Sequence, residues 1–150
     1  MTITSPPFEA TRGILAIFLS WLIAQLIKVI RGGFRERKFN FKWLIRSGGM
    51  PSAHSATVAC LTTVVAMYYG LDSIPFAISI VFSFITMFDA AGVRRNVGRQ
   101  ASILNKMLEE VYEGRDVPEK QIKALLGHTP IEVMIGAAMG VVLALVICKW

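Results

Sequence analysis

Four long stretches of mostly apolar residues limit this chain to folds that use a lipid bilayer as their solvent. They run from Gly13 to Ile30, from Ser55 to Leu71, from Ile74 to Gly92 and from Ile131 to Cys148. A helix of about 20 apolar residues crosses a hydrocarbon core roughly 30 Å thick. Because 54% of the residues are hydrophobic and 17% are charged, polar side chains are too few to cover a soluble domain. We therefore expect an all-α integral membrane protein, a small bundle of about four transmembrane helices.

Polar residues inside these stretches can remain there at low cost. Lys28 lies late in the first stretch, and we expect its ammonium group to snorkel to the membrane surface. Thr57, Thr62 and Thr63 in the second stretch can bond back to carbonyl groups of their own helix. The stretches therefore remain candidates for membrane spans.

The loop between the first two stretches, from Arg31 to Met50, gives the strongest topology signal. Lys and Arg are retained on the cytoplasmic side, so this loop is expected there, with both chain termini outside. The cell membrane of a bacterium is the expected location. The loop has one acid, Glu36, and the basic residues Arg31, Arg35, Arg37, Lys38, Lys42 and Arg46.

The segment from Val93 to Gly127 is too polar to span a membrane and too regular for a plain loop. Apolar residues recur at three- and four-residue spacing between Ile103 and Val111, which predicts a cytoplasmic amphipathic helix. A second short helix is expected to start at Asp116, which precedes Val-Pro-Glu. The sequence has no internal repeat, so residues 1–150 are expected to form a single membrane-embedded domain.

Residues suited to phosphate chemistry cluster where three of the stretches begin or end. If the stretches span the membrane in order, these positions all lie at the cytoplasmic face, although up to about eighty residues separate them along the chain. Polar groups at membrane depth are costly, so their convergence predicts a functional site. The residues are Ser52, His54, Asp89, Arg94, Arg95, His128 and Glu132.

Two of these sets of residues each have a second interpretation: the segment that ends at His54, and Asp89 with the two arginines after it. Between Arg46 and His54, two glycines, a proline and a helix start offer backbone amides to a phosphate, or they form a turn and an N-cap. Arg94 and Arg95 can hold phosphate oxygens through paired hydrogen bonds, with Asp89 to orient them. The same arginines can instead anchor the chain at the membrane surface.

The remaining two candidate residues, His128 and Glu132, lie at the start of the last stretch. His128 and Glu132 are four residues apart, so they share a helix face. Glu132 either fixes the imidazole ring or completes a capping box with Thr129, and the sequence leaves both roles open. Gly136 and Gly140 follow at a small-xxx-small spacing, which fits close packing within the chain or a homodimer.

Charge and motif spacing indicate which partners to expect. The net charge of +6 comes from basic residues that flank the stretches, so anionic membrane lipids are expected partners and nucleic acid is not. Metal-binding patterns such as H-x-x-x-H and paired cysteines do not occur. No metal or other cofactor is therefore expected.

Three segments, Ser47 to Ala56, Asp89 to Arg95 and Leu126 to Val133, carry a resemblance to a known family. They resemble the divergent branch of the type 2 phosphatidic acid phosphatase superfamily, which is related to vanadium-dependent haloperoxidases. Pro-Ser-Ala-His, ending at His54, is similar to the P-S-G-H motif of the superfamily. His128-x3-Glu is similar to the end of its S-R-x5-H-x3-D motif.

The resemblance implies a metal-independent phosphatase in which His128 attacks phosphorus, Glu132 positions it and His54 is the general acid. The S-R pair is replaced by Gln121 and Ile122, and the K-x6-R-P motif is absent. Other groups must then hold the phosphate. The candidates are Arg94 and Arg95, then Arg46, together with Ser52.

The expected reaction is hydrolysis of a lipid phosphomonoester at the cytoplasmic face. Phosphatidylglycerophosphate or phosphatidate suits that face because such lipids are made there, and a prenyl phosphate is a further candidate. The alternative is a non-enzymatic membrane protein that binds anionic lipid or a partner protein through its basic loop.

Overall fold

The structure is a computed structural model, and it describes residues 7–36, 49–111 and 128–149. These residues form helices and contain no strand, which confirms the predicted all-α class. The helices are α1 (Pro7–Glu36), α2 (Ala53–Tyr69), α3 (Ile74–Ala91), α4 (Val93–Val111) and α5 (Pro130–Cys148).

The outer faces of the bundle are apolar enough to require lipid around them. Three segments of the described chain are long and apolar enough to cross a membrane: Ala10–Phe34, Ile74–Glu109 and Pro130–Cys148. The remaining predicted span, from Ser55 to Leu71, corresponds to α2, which is shorter at 17 residues. Large apolar side chains such as Phe18 and Phe84 are exposed on the bundle surface, where lipid would cover them. The chain is an integral membrane protein.

The central helix is α2, which packs against α1, α3 and α5. Its contact with α5 is close because Gly136 and Gly140 lie against the backbone of Ser52 and Ala56. A Cβ atom at either glycine would overlap a backbone carbonyl, so both positions require glycine for this packing. The two glycines therefore serve packing within the chain. A homodimer stays a prediction, and it would have to use a face that α2 leaves open.

Hydroxyl groups connect α2 to α3. Thr57 and Thr63 donate 2.8 Å hydrogen bonds to carbonyls of their own helix, as expected. Thr62 departs from that expectation, because its hydroxyl reaches α3 instead. It donates to the carbonyl of Ser79 at 3.1 Å and lies 2.6 Å from the hydroxyl of Ser83. This pair of contacts fixes the rotation of α3 against the central helix.

The predicted amphipathic helix corresponds to α4, which packs against α3. Apolar side chains on this helix, among them Leu104 and Met107, are exposed, as expected for a helix that rests against lipid. The predicted helix start at Asp116 lies outside the described residues.

Candidate functional site

Two backbone hydrogen bonds join three helix ends at one end of the bundle. The N–H of Ser52, the residue before α2, donates to the carbonyl of Glu132 in the first turn of α5 at 3.1 Å. The N–H of His128 donates to the carbonyl of Ala90 in the last turn of α3, also at 3.1 Å. The start of α2, the end of α3 and the start of α5 therefore meet, as the sequence predicts. We call this meeting point the junction.

His128 is enclosed at the junction, with 1% of its surface exposed. Its Nδ1 atom lies 3.2 Å from Oε2 of Glu132. An ionised carboxylate only accepts hydrogen bonds, so in the neutral ring Nδ1 carries the proton and Nε2 keeps its lone pair. Glu132 thus orients the ring and favours the tautomer in which Nε2, which is also buried, carries the lone pair.

The carboxylate of Glu132 also forms the start of α5. The N–H of Thr129 donates to the same Oε2 atom at 3.0 Å, and the N–H of Glu132 donates to the Thr129 hydroxyl at 3.3 Å. These two bonds are the predicted capping box. Both roles that the sequence leaves open for Glu132 are therefore present at once, through one oxygen atom.

Ser52 is buried and caps α2. Its hydroxyl oxygen accepts hydrogen bonds from the N–H of Ser55 at 3.4 Å and from the hydroxyl of Ser55 at 3.0 Å. Three residues earlier, Gly49 has φ +85°, a left-handed conformation that favours glycine. The turn and N-cap that the sequence offers as one interpretation of this segment are present. Phosphate binding by Ser52 stays a prediction.

His54 and Asp89 are carried by helix turns at the junction but are less enclosed than His128. The His54 side chain is exposed in the first turn of α2. Asp89 is half-buried in the last turn of α3, and the carbonyl of the next residue, Ala90, is the group that holds the His128 backbone. The catalytic roles of His54 and Asp89 stay predictions.

The structure gives the backbone positions of two of the three candidate phosphate-binding arginines. Arg94 and Arg95 lie in the first turn of α4, directly after the end of α3, so their backbone is close to the junction along the chain. Arg46 lies outside the described residues. Phosphate binding by the three arginines stays a prediction.

Sequence reasoning missed one cation at the junction. Lys28 of α1 has 5% of its surface exposed, so the expectation that it snorkels to the membrane surface is wrong. Glu132 acts on Lys28 electrostatically, and α1 packs against α5. A buried ammonium group is costly unless an opposite charge compensates it, and Glu132 offsets part of that cost.

Two signals in the sequence point to Lys28. An ionisable residue within an apolar stretch is costly and is a candidate for function by default. In addition, six residues separate Lys28 from Arg35, the same spacing as in K-x6-R-P, with Glu36 where that motif has proline. A search for the complete motif misses this partial match.

These groups have the composition of a small anion site in an apolar bundle. They comprise an imidazole within hydrogen-bond distance of a carboxylate and a buried ammonium group on which that carboxylate acts electrostatically. Within residues 7–36, 49–111 and 128–149, no group of three or more His, Cys, Asp or Glu side chains is arranged to hold a metal ion. Such a set can attract a phosphate through Lys28 and offer Nε2 of His128 as a nucleophile.

Comparisons with known proteins agree with the three motifs. A family model described as "Divergent PAP2 family" matches residues 10–143. The chain is also 43% identical to the "Uncharacterized membrane protein YuiD" of Bacillus subtilis (strain 168), across 89% of this chain and 92% of that protein. No solved structure matches the chain. The resemblance drawn from the motifs is confirmed: this membrane protein belongs to the divergent PAP2 family.

Proposed function

We propose that this protein is a metal-independent phosphatase that hydrolyses a lipid phosphomonoester at the cytoplasmic face of the cell membrane. The observation that carries the proposal is the hydrogen-bonded pair of His128 and Glu132, which is enclosed where three helices meet. The similarity of the motifs around His54 and His128 to those of the wider superfamily supports the same chemistry.

The first step forms a bond between Nε2 of His128 and phosphorus and breaks the bond from phosphorus to the lipid oxygen. The hydrogen bond from Nδ1 to Glu132 stabilises the positive charge that develops on the ring. His54 donates a proton to the departing lipid alcohol as general acid. The products of this step are a free lipid alcohol and a phosphohistidine.

The second step returns the site to its starting state. The neutral His54 accepts a proton from water, and the resulting hydroxide attacks phosphorus. The bond from phosphorus to Nε2 breaks, and the electron pair returns to His128. Inorganic phosphate leaves, and both histidines have the protonation states with which they began.

The cationic residues that bind phosphate come from other sequence positions than in the wider superfamily. Lys28, a buried cation on which Glu132 acts electrostatically, is the first candidate. Arg94 and Arg95 are further candidates from the start of α4, and the buried hydroxyl of Ser52 lies at the start of α2. Since Nε2 of His128 is covered, phosphate has to displace the groups above it before it reacts.

The class of substrate follows from where the site is expected to lie. Lipid around the bundle delivers phosphorylated lipids with the headgroup at the membrane surface, near the ends of α2 and α5. At the cytoplasmic face, phosphatidylglycerophosphate and phosphatidate are the favoured substrates, and a prenyl phosphate is the third candidate.

The test is phosphate release by the purified protein in detergent from each of these three lipids, in the presence of a chelator. We expect release from at least one lipid, and we expect His128→Ala to abolish it. Lys149→Ala is the matched control, because that exposed residue lies at the opposite end of α5. It should retain full activity.

Quenching during turnover with detergent at alkaline pH, which preserves the acid-labile phosphohistidine, should trap a phosphorylated protein in the wild type and none in His128→Ala. Absence of release from all three lipids, by protein that is shown to be folded, would overturn the proposal. Lipid binding that depends on Arg35, Arg37 and Lys38 would then support the non-enzymatic alternative.

A further inference from the structure

Glu132 is also the centre of a charge arrangement that exists before substrate binds. Its Oε2 atom lies 3.2 Å from the ring of His128. Lys28 approaches from α1, because Ala24, one helical turn earlier, packs with Ala53 of α2 and Met139 of α5. Glu132 acts on the Lys28 ammonium group electrostatically. Lys28 and His128 are both almost fully buried. One anion is thus shared by two cationic or potentially cationic partners in a region of low dielectric.

The charge state of His128 decides whether it can react. A neutral imidazole has a lone pair on Nε2, whereas an imidazolium carries a proton there and cannot attack phosphorus. A carboxylate next to a histidine favours the imidazolium form. Glu132 alone would therefore orient the ring correctly and, at the same time, promote the unreactive form.

Lys28 opposes that effect. With Lys28 and Glu132 both charged, their net charge is zero, and a proton added to His128 would leave one uncompensated positive charge in a buried site. The structure assigns Lys28 a second role as a positioning residue: acting through Glu132, it keeps His128 neutral before substrate binds. The catalytic meaning of this role rests on the proposed function, but the charge balance itself does not.

Other ionisable groups near His128 also affect its charge, but they are the same in every variant that tests Lys28. On α3, Asp89 precedes the residue that binds the His128 backbone, and it is half-buried. On α2, the neighbouring ionisable group is His54, which is exposed. On α4, Arg94 and Arg95 occupy the first turn. The test compares variants that differ only at Lys28 and Glu132, so these groups contribute equally to every measurement.

The chain has two histidines, which makes a direct measurement simple. In a His54→Gln background, without a histidine tag, ¹⁵N-labelled imidazole gives the NMR signal of His128 alone. The protonation of that ring is followed against pH in detergent for three proteins: the background, Lys28→Met and Lys28→Arg.

We expect Lys28→Met to move the protonation of His128 to higher pH by about one unit or more, the size of shift that a nearby charge produces. Lys28→Arg keeps the charge and should titrate within a few tenths of a unit of the background. Equal titration in the background and in Lys28→Met would overturn the inference, as would a shift of the same size in Lys28→Arg.

A second variant covers the case in which Lys28→Met does not fold. The double variant Lys28→Met with Glu132→Gln removes both charges, so it leaves no unpaired ion in the bundle. Its His128 should titrate at a lower pH than in Lys28→Met, or, if that variant is unfolded, within about one unit of the background. A double variant that titrates at a pH well above the background would contradict the charge balance.

The two proposals can fail separately. A protein that releases no phosphate from any lipid but shows the Lys28-dependent shift would lose the proposed function and keep the charge balance. A protein that hydrolyses lipid phosphate and shows no shift would keep the function and lose the second role of Lys28.

Discussion

The N–H of Ser52 and the carbonyl of Glu132 are joined by a 3.1 Å hydrogen bond, although 80 positions separate them in the chain. This bond fixes the first turn of α2 beside the first turn of α5. Both helices begin with a hydroxyl cap, and both caps belong to segments that resemble phosphatase motifs. The features that start the helices are therefore the same features that bring the candidate catalytic residues together.

Glu132→Gln separates the two roles of Glu132. Glutamine also completes capping boxes, so the start of α5 should persist, while the anion beside His128 is lost. We expect kcat to fall at least about a hundredfold, because the ring loses its charged orienting partner. Phosphate release under single-turnover conditions measures the effect.

Thr129→Ala is the matched control for that variant. It removes the hydroxyl of the capping box and leaves the carboxylate and the imidazole in place. We expect a loss of about 1 kcal/mol in the free energy of unfolding and a kcat close to that of the wild type. Loss of activity equal to that of Glu132→Gln would show that helix capping, and not the contact with His128, explains both variants.

His54→Ala tests the general acid through the leaving group. A lipid alkoxide leaves poorly without a proton, whereas a nitrophenolate leaves well unaided. We expect the variant to lose hydrolysis of lipid phosphate by about 10²-fold or more, and to retain most of the wild-type rate on nitrophenyl phosphate in the phosphorylation step. An equal loss on both substrates would contradict the acid role and would indicate that His54 binds phosphate.

Gly140→Ala tests the packing of α5 on α2. A methyl group at this position meets the backbone of Ala56 and Cys60, which cannot move without separating the helices. We expect a loss of about 1–3 kcal/mol in stability, typical of overpacking, measured by unfolding in mixed detergent. The control is Ala138→Leu, a larger change at an exposed position on the same helix. A control that destabilises as much would show that this face of α5 is also packed, as a homodimer requires.

Cysteine labelling in intact cells tests the orientation of the chain in the membrane. Asp72→Cys lies in the exposed turn between α2 and α3, and Gln100→Cys is exposed on α4 near the junction end. With Cys60 and Cys148 replaced, an impermeant maleimide should label position 72 in intact cells and position 100 only after permeabilisation. The reverse pattern would place the site at the outer face and would favour a prenyl phosphate as substrate.

Much of the fold follows from local sequence. Apolar length gives the spans, and the Ser52 and Thr129 caps mark where two of them begin, because capping depends on residues three or four positions apart. The basic loops predict which helix ends lie at the same face of the membrane. Local rules do not give the rotation of each helix about its axis, which is set by contacts between helices.

Two residues illustrate that limit. Thr62 satisfies its hydroxyl on α3, and not on its own helix, because the facing carbonyl of Ser79 is close enough. Lys28 lies two residues from the end of the first apolar stretch, where snorkelling is the usual outcome, and yet it is buried in the bundle. In both cases the deciding partner is distant in sequence, so the helix alone does not identify that partner.

The shortness of α2 connects the candidate site to the bilayer. Seventeen residues extend about 26 Å, less than the hydrocarbon core of roughly 30 Å, which the 30 residues of α1 exceed. Hydrophobic mismatch at the centre of the bundle therefore recesses the turn that carries Ser52 and His54 or thins the bilayer around it. Thinning lowers the lipid headgroups toward this turn, whereas recession leaves them above it, so we expect the chain length of the surrounding lipids to affect access to the candidate site.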